Sequence, residues 1–247
     1  MMVVIPALDL KDGRCVRLVQ GDFGRQTDYG DAPVEVAHRY RELGFDHLHL
    51  VDLDGALTGV QRHHEIVSSI TDAAELTVQL GGGIRSRETI ANWLDAGVSR
   101  CVIGSLAVTE PWAVLGWLEE FGSDRIVLAL DVRADDHGTP LLATHGWTRS
   151  TEITLWECLD GYCGNGLSHV LCTDIGVDGT CAGPNAALYR DILRRYPDLE
   201  LQASGGVRHI GDLRTLRGLG CSAAITGRAL LDGRIRDEEI SSFPRNE

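Results

Sequence analysis

The chain repeats itself at half its own length. The segment IPALDLKDG around Asp9 returns as VLALDVRAD around Asp131, and HLVDLDG around Asp52 returns as VLCTDIG around Asp174, both 122 residues on. LGGGIRS around Gly82 returns as ASGGVRH around Gly205, and VIGSLAV around Gly104 returns as AITGRAL around Gly227, both 123 residues on. Four segments in one order at one offset are hard to obtain by chance. The period is also far longer than the roughly 20–50 residues of a solenoid unit. Two equivalent halves closing one body is the natural reading.

What each half contains follows from its patterning. Short β-rich apolar runs begin at Val3, His47, Thr77, Cys101, Ile126, Ser168, Leu201 and Ala223. Several are apolar at consecutive positions, as strands covered on both faces are. Amphipathic stretches lie between them, such as Val34–Leu43, Glu88–Ala96 and Asp212–Leu219. Gly44, Gly97 and Gly220 close these stretches at positions that suit a helix C-terminus. Eight strand–helix units at a spacing of roughly 30 residues describe an α/β fold, a (βα)8 TIM barrel built from two duplicated half-barrels, with a doubly wound sheet as the alternative. With no Pro/Ser-rich linker, residues 1–247 read as a single domain whose halves run about 1–122 and 123–247.

Charge and cysteine usage narrow the function. A net charge of −13 argues against a nucleic-acid partner. No apolar run approaches the roughly 20 residues that span a bilayer, and Met1 to Asp9 is too short for a signal peptide. Seven cysteines without a CxxC pair suit free thiols, Cys158 and Cys163 among them, and a cytoplasmic location. Lys11 is the only lysine among 23 basic residues. Schiff-base chemistry would have to use it, yet it stands in the turn-like Leu10-Lys11-Asp12-Gly13, where an exposed amine is expected.

In such barrels the site lies at the C-terminal strand ends. Gly82 and Gly83 follow the third strand and Gly104 and Ser105 the fourth; Gly205 and Gly206 follow the seventh, and Gly227 and Arg228 the eighth. Glycine admits close backbone approach, and the helices that follow offer free N–H groups, so each pair can cradle a phosphate. Tight turns alone would explain one such pair, but two on opposite sides imply a small substrate with a phosphate at each end. Arg85 and Arg228 stand beside the glycines. Asp9 and Asp131 end the first and fifth strands and face one another, as general acid–base work requires. Asp178, in the turn-like run Thr173–Thr180, overhangs the mouth, and Trp147 reads as a stacking platform for a heterocycle. With Asp52 pointing into the barrel, alternation sends His47 and His49 to the helix side, away from any metal site. His63-His64 reads as a solvated loop, and the polar segment Gly21 to Asp31 as a mobile lid.

The ordered motifs IPALDLKDGRCVRLVQGD, LHLVDLDGA, LGGGIRS, LALDVR, LCTDIGVDGT and ASGGVR closely resemble the ProFAR isomerase family of histidine biosynthesis, the phosphoribosylformimino-5-aminoimidazole carboxamide ribotide isomerases. The resemblance runs over essentially the whole chain. It implies an Amadori rearrangement of an aminoaldose to an aminoketose without metal or organic cofactor. Asp9 then matches the general base, Asp131 and Asp178 two aspartates proposed as proton donor, and Thr173 an active-site threonine. The cyclase subunit of imidazole glycerol phosphate synthase has a cysteine at the place of Ala7 and a lysine at the place of Arg17, so Arg17 favours the isomerase. Cys181 stands where a larger apolar residue is frequent. The remaining alternatives are a bifunctional isomerase that also takes phosphoribosylanthranilate, and a non-catalytic phosphosugar sensor. A cytoplasmic monomer acting on a bisphosphate, without nucleic acid or membrane, completes the expectation.

Overall fold

Consecutive apolar residues need cover on both faces, and a barrel ringed by helices supplies it. A computed structural model describes residues 2–19, 22–30, 32–180 and 182–243, so Gly21 and Asp31 of the expected lid, Gln20 just before that lid, and Cys181 lie outside the described residues. The first half contains strands β1 (Val3–Lys11), β2 (Arg14–Val19), β3 (Asp22–Asp28), β4 (His47–Asp52), β5 (Thr77–Gly81) and β6 (Arg100–Ile103). The second contains β7 (Ile126–Ala134), β8 (Pro140–Thr144), β9 (Arg149–Thr154), β10 (His169–Asp174), β11 (Glu200–Ser204) and β12 (Ala223–Thr226). Helices α1 (Pro33–Glu42), α2 (Leu53–Thr58), α3 (His64–Ala73), α4 (Arg87–Asp95), α5 (Leu106–Thr109) and α6 (Pro111–Phe121) fall between the earlier strands. Helices α7 (Leu155–Cys163), α8 (Ala186–Arg195), α9 (Ile210–Leu219), α10 (Arg228–Leu231) and α11 (Asp237–Ser241) complete the ring.

Strands β1, β4, β5, β6, β7, β10, β11 and β12 pair in parallel, and β12 returns to β1, which closes the barrel. This is the expected (βα)8 TIM barrel. The core has two main parts, beside a third small cluster of Val16, Leu18 and Leu53. Leu48 and Leu50 of β4 belong to the large cluster between strands and helices, whereas Ile5, Ala7, Val102, Val127, Leu171, Ala223 and Ile225 form a small cluster inside the barrel. Below the site the interior is plugged by Gln79 and Gln202, 123 positions apart, whose amides hydrogen-bond reciprocally at 2.8 and 3.1 Å. Pairing each amide with the other removes most of the cost of burying two polar side chains.

Helix termini are set by local chemistry. Ser86 caps α4 and Asn185 caps α8, and Thr154 with Glu157 forms a capping box at α7. Gly220 ends α9 in the left-handed region, as expected of a glycine after a helix.

Three local expectations need correction. Asp9 and Asp131 do not end their strands: β1 and β7 run past them because β2 and β8 pair antiparallel with those extensions. The described part of Gly21–Asp31, expected as a long connection from strand to helix, contains a strand of its own, since Asp22–Asp28 pairs with β2 as a hairpin. Lys11 is the last residue of β1 rather than an exposed turn amine, and its Nζ donates to Gln26 Oε1 at 3.0 Å.

Candidate active site

A cavity of about 700 Å³ opens at the C-terminal ends of the barrel strands. Ala7, Gly81, Ala129 and Ser204 line it with side chains too small to fill the barrel, so it reaches down to His49, Val102, Leu171 and Ile225. The carboxylates Asp9, Asp131 and Asp178 line it, as do Arg17, Thr173 and Trp147. So do Gly82, Gly83, Arg85, Gly104 and Ser105 on one side and Gly205, Gly206, Gly227 and Arg228 on the other. All the side chains singled out in the sequence for chemistry therefore border one space, of a size that suits a small phosphorylated ligand.

Arg17 is the cation at its centre. It projects from β2, and Nη1 lies 3.1 Å from Asp9 Oδ2 while Nη2 lies 3.3 Å from Asp178 Oδ2. The planar guanidinium offers each carboxylate its own N–H in a fixed fork, a geometry that a point-like ammonium does not reproduce. Burial pushes the Asp9 carboxyl above its usual range, Arg17 opposes that shift, and the neighbouring Asp178 adds to it. The two carboxylates raise the Arg17 guanidinium further, so it stays charged.

Asp131 is in different surroundings. Among the described residues no cation pairs with it; Trp147 Nε1–H donates to its Oδ2 at 2.8 Å, and Thr173 supplies a second hydrogen bond. Burial outweighs both and pushes its carboxyl up to about 6. Trp147 reaches it from a tight loop in which Trp147 and His145 adopt positive φ of 71° and 55°. That loop is tied down by Ser105 Oγ, which accepts from the His145 backbone N–H at 2.8 Å. The indole thus serves a carboxylate as well as offering a face.

The glycines are required by close backbone crossings. Gly83 and Gly206 have φ of 71° and 78°, and a Cβ on either would overlap the carbonyl of Gly55 or Gly183. Gly104 and Gly227 have room for a methyl group, so their lack of a side chain leaves backbone open to the cavity. Arg228 donates to the Gly179 carbonyl at 2.7 Å and to Asp232 at 3.1 Å, and Arg85 to the Ala56 carbonyl at 2.9 Å. Both arginines therefore brace neighbouring loops.

Strand β4 faces the opposite way from that expectation. Asp52 is fully buried and points away from the barrel: it caps α2 through the Gly55 N–H and binds His63 Nδ1, each at 2.8 Å. His49 accordingly points inward. The signal was present in Asp52-Leu53-Asp54-Gly55, which reads as a helix N-cap once the strand is allowed to end there. His63 is buried rather than solvated. It accepts from the Gly13 N–H at 3.1 Å while Asp54 accepts from the Asp12 N–H at 2.8 Å, which latches the β1–β2 turn to α2. Asp52, Asp54 and His63 are close enough together to hold a metal ion, but these contacts already occupy them. Sequence reasoning missed His49, Ser204 and Thr226 in the cavity wall, because strand register decides which of them face inward.

No helix among the described residues is long and apolar enough to cross a membrane. The family model described as "Histidine biosynthesis protein" matches residues 3–236.

Proposed function

The chain belongs to the histidine biosynthesis protein family, and from that premise we propose that it is the isomerase that converts the aminoaldose ProFAR to the aminoketose PRFAR. One observation carries the reading. Asp9 and Asp131 border one cavity in opposite charge environments, the first held by Arg17 and the second with no cation partner among the described residues, and glycine-lined strand ends flank them on both sides. Two carboxyls kept in different environments are what acid–base division of labour requires.

The roles follow from those environments. The glycine-lined ends hold the two phosphates and stretch the substrate across the mouth. Asp131, raised to about 6, supplies the proton that opens the ribose ring to a Schiff base. Asp9, paired with Arg17, removes the C2′ proton to give the enolamine, and tautomerisation gives the ketose. No step needs a lysine, a metal or an organic cofactor. Asp178 serves as the counter-charge that orients Arg17. The same reading makes the protein a cytoplasmic monomer with a bisphosphate as its partner, and light scattering tests the monomer.

The test is a steady-state absorbance assay with ProFAR in the presence of EDTA, repeated with phosphoribosylanthranilate. Turnover of ProFAR alone, unchanged by EDTA, is expected. Turnover of both substrates would make the protein bifunctional. Tight binding of ProFAR without turnover would make it a phosphosugar sensor.

A further inference from the structure

The floor of the cavity holds one polar ring among aliphatic side chains: His49 beside Val102, Leu171 and Ile225. A polar group on such a floor is costly unless something hydrogen-bonds it. One side of the ring is satisfied from below. Nδ1 lies 3.0 Å from Gln79 Nε2, whose other hydrogen goes to Gln202 Oε1 at 2.8 Å. An amide nitrogen only donates, so Nδ1 accepts and the ring proton sits on Nε2. Burial beside the Arg17 charge pushes the imidazole down to about 4, which keeps it neutral at neutral pH. The glutamine pair thus fixes one tautomer and leaves Nε2–H without a hydrogen-bond partner among the described residues.

Its position relative to the base gives that donor a task. In the register between β1 and β4, Ala7 pairs with His49 and Asp9 with Val51. The ring therefore lies one inward position deeper than Asp9, on the adjoining strand. Ring and carboxylate thus face one cavity from adjoining strands.

We propose that His49 is a further catalytic residue, whose Nε2–H donates a hydrogen bond to the C2′ oxygen of the substrate, the oxygen that becomes the ketone. The inference rests on the isomerase reading above. When Asp9 takes the C2′ proton, the C–H electron pair forms the C1′–C2′ double bond, and the iminium π pair moves onto nitrogen. In the second step Asp9 returns a proton to C1′. The O2′–H proton passes to the donor carboxylate and restores the acid, its bonding pair becomes the ketone π bond, and the C1′–C2′ π pair forms the new C1′–H bond. Negative charge builds on O2′ as that bond breaks, and a positioned neutral imidazole stabilises it, as one does in another aldose–ketose isomerisation.

The variants His49→Asn and His49→Gln test this, with kcat, KM and thermal midpoint measured on each. Asparagine places its amide near Nδ1 and keeps a partner for Gln79, but it cannot reach the Nε2 position. Glutamine carries an N–H to that position. His49→Asn is expected to lower kcat about a hundredfold with KM within about threefold of wild type and little change in midpoint. His49→Gln is expected to recover at least about tenfold of that loss. If wild type turns over ProFAR and His49→Asn matches it, or if His49→Gln recovers nothing, the role assigned to His49 is overturned and the isomerase reading stands. A wild-type protein that does not turn over ProFAR overturns both.

Discussion

Trp147 Nε1 lies 2.8 Å from Asp131 Oδ2, so the residue expected as a stacking surface hydrogen-bonds a cavity carboxyl. The hydrogen bond stabilises the carboxylate, and burial, the larger effect, stabilises the acid. The balance puts Asp131 at about 6, where both forms are populated near neutral pH.

The pH profile should register that bond. With Asp131 as the donor, kcat/KM falls as pH rises through about 6, because the acid form is lost. Trp147→Phe deletes a contact that favours the carboxylate, so the acid form persists to higher pH. The falling limb should move up by about one pH unit, the size expected of one hydrogen bond to a charged group. A limb that stays in place while activity drops would remove Asp131 from the donor role and pass it to Asp178.

Asp9→Asn separates chemistry from binding. The variant keeps shape and loses the base, so kcat should fall by about 10²–10⁴-fold while the ProFAR dissociation constant changes by no more than a few-fold. Binding followed by calorimetry, beside the absorbance assay, reads both quantities. Unchanged turnover would eliminate Asp9 as the base.

Arg17 neutralises two carboxylates at once, which makes its removal expensive. Arg17→Met leaves Asp9 and Asp178 facing each other without a cation, at a cost of about 3 kcal/mol for a broken buried pair. Thermal denaturation should show a midpoint lower by about 6–12 °C for a chain of this size. Arg17 also holds the Asp9 carboxyl down, so its loss raises Asp9, and the acid-side limb of kcat/KM should move to higher pH. Arg17→Lys should fall between, because it keeps the charge but loses the fixed fork that addresses both partners.

The barrel and the carboxylate positions were legible because they depend on signals local in sequence. Runs such as Ile126–Leu130 announce a strand covered on both faces, and the glycines at 82, 83, 205 and 206 mark tight turns after such strands. What escaped depends on how strands are staggered. Whether Asp52 or His49 enters the barrel is settled by the pairing of β4 with β1 and β5, and no count along one strand reveals that. The hairpin β2–β3 escaped for a different reason. Its sequence, RCVRLV followed by DFGRQTD, is polar enough to read as a loop, and it is a strand pair because β1 extends past Asp9 to template it.

The glycine cradles offer a test in which fold and binding separate. Gly83→Ala and Gly206→Ala would place a methyl group against the carbonyls of Gly55 and Gly183 at positive φ, so each should destabilise by about 2 kcal/mol or more. Gly104→Ala meets nothing nearer than 4.0 Å, and Gly227→Ala nothing nearer than 3.6 Å, so neither should move the thermal midpoint appreciably. Both methyls would nonetheless stand where the backbone is open to the cavity. If a phosphate is held there, each substitution should raise KM about tenfold or more, the effect of disturbing one charge-assisted hydrogen bond. Inorganic phosphate should compete with ProFAR in wild type and compete less well in both variants. An unchanged KM in Gly104→Ala and Gly227→Ala would mean that the phosphates bind elsewhere, because these two variants, unlike the other pair, leave no folding defect to account for the result.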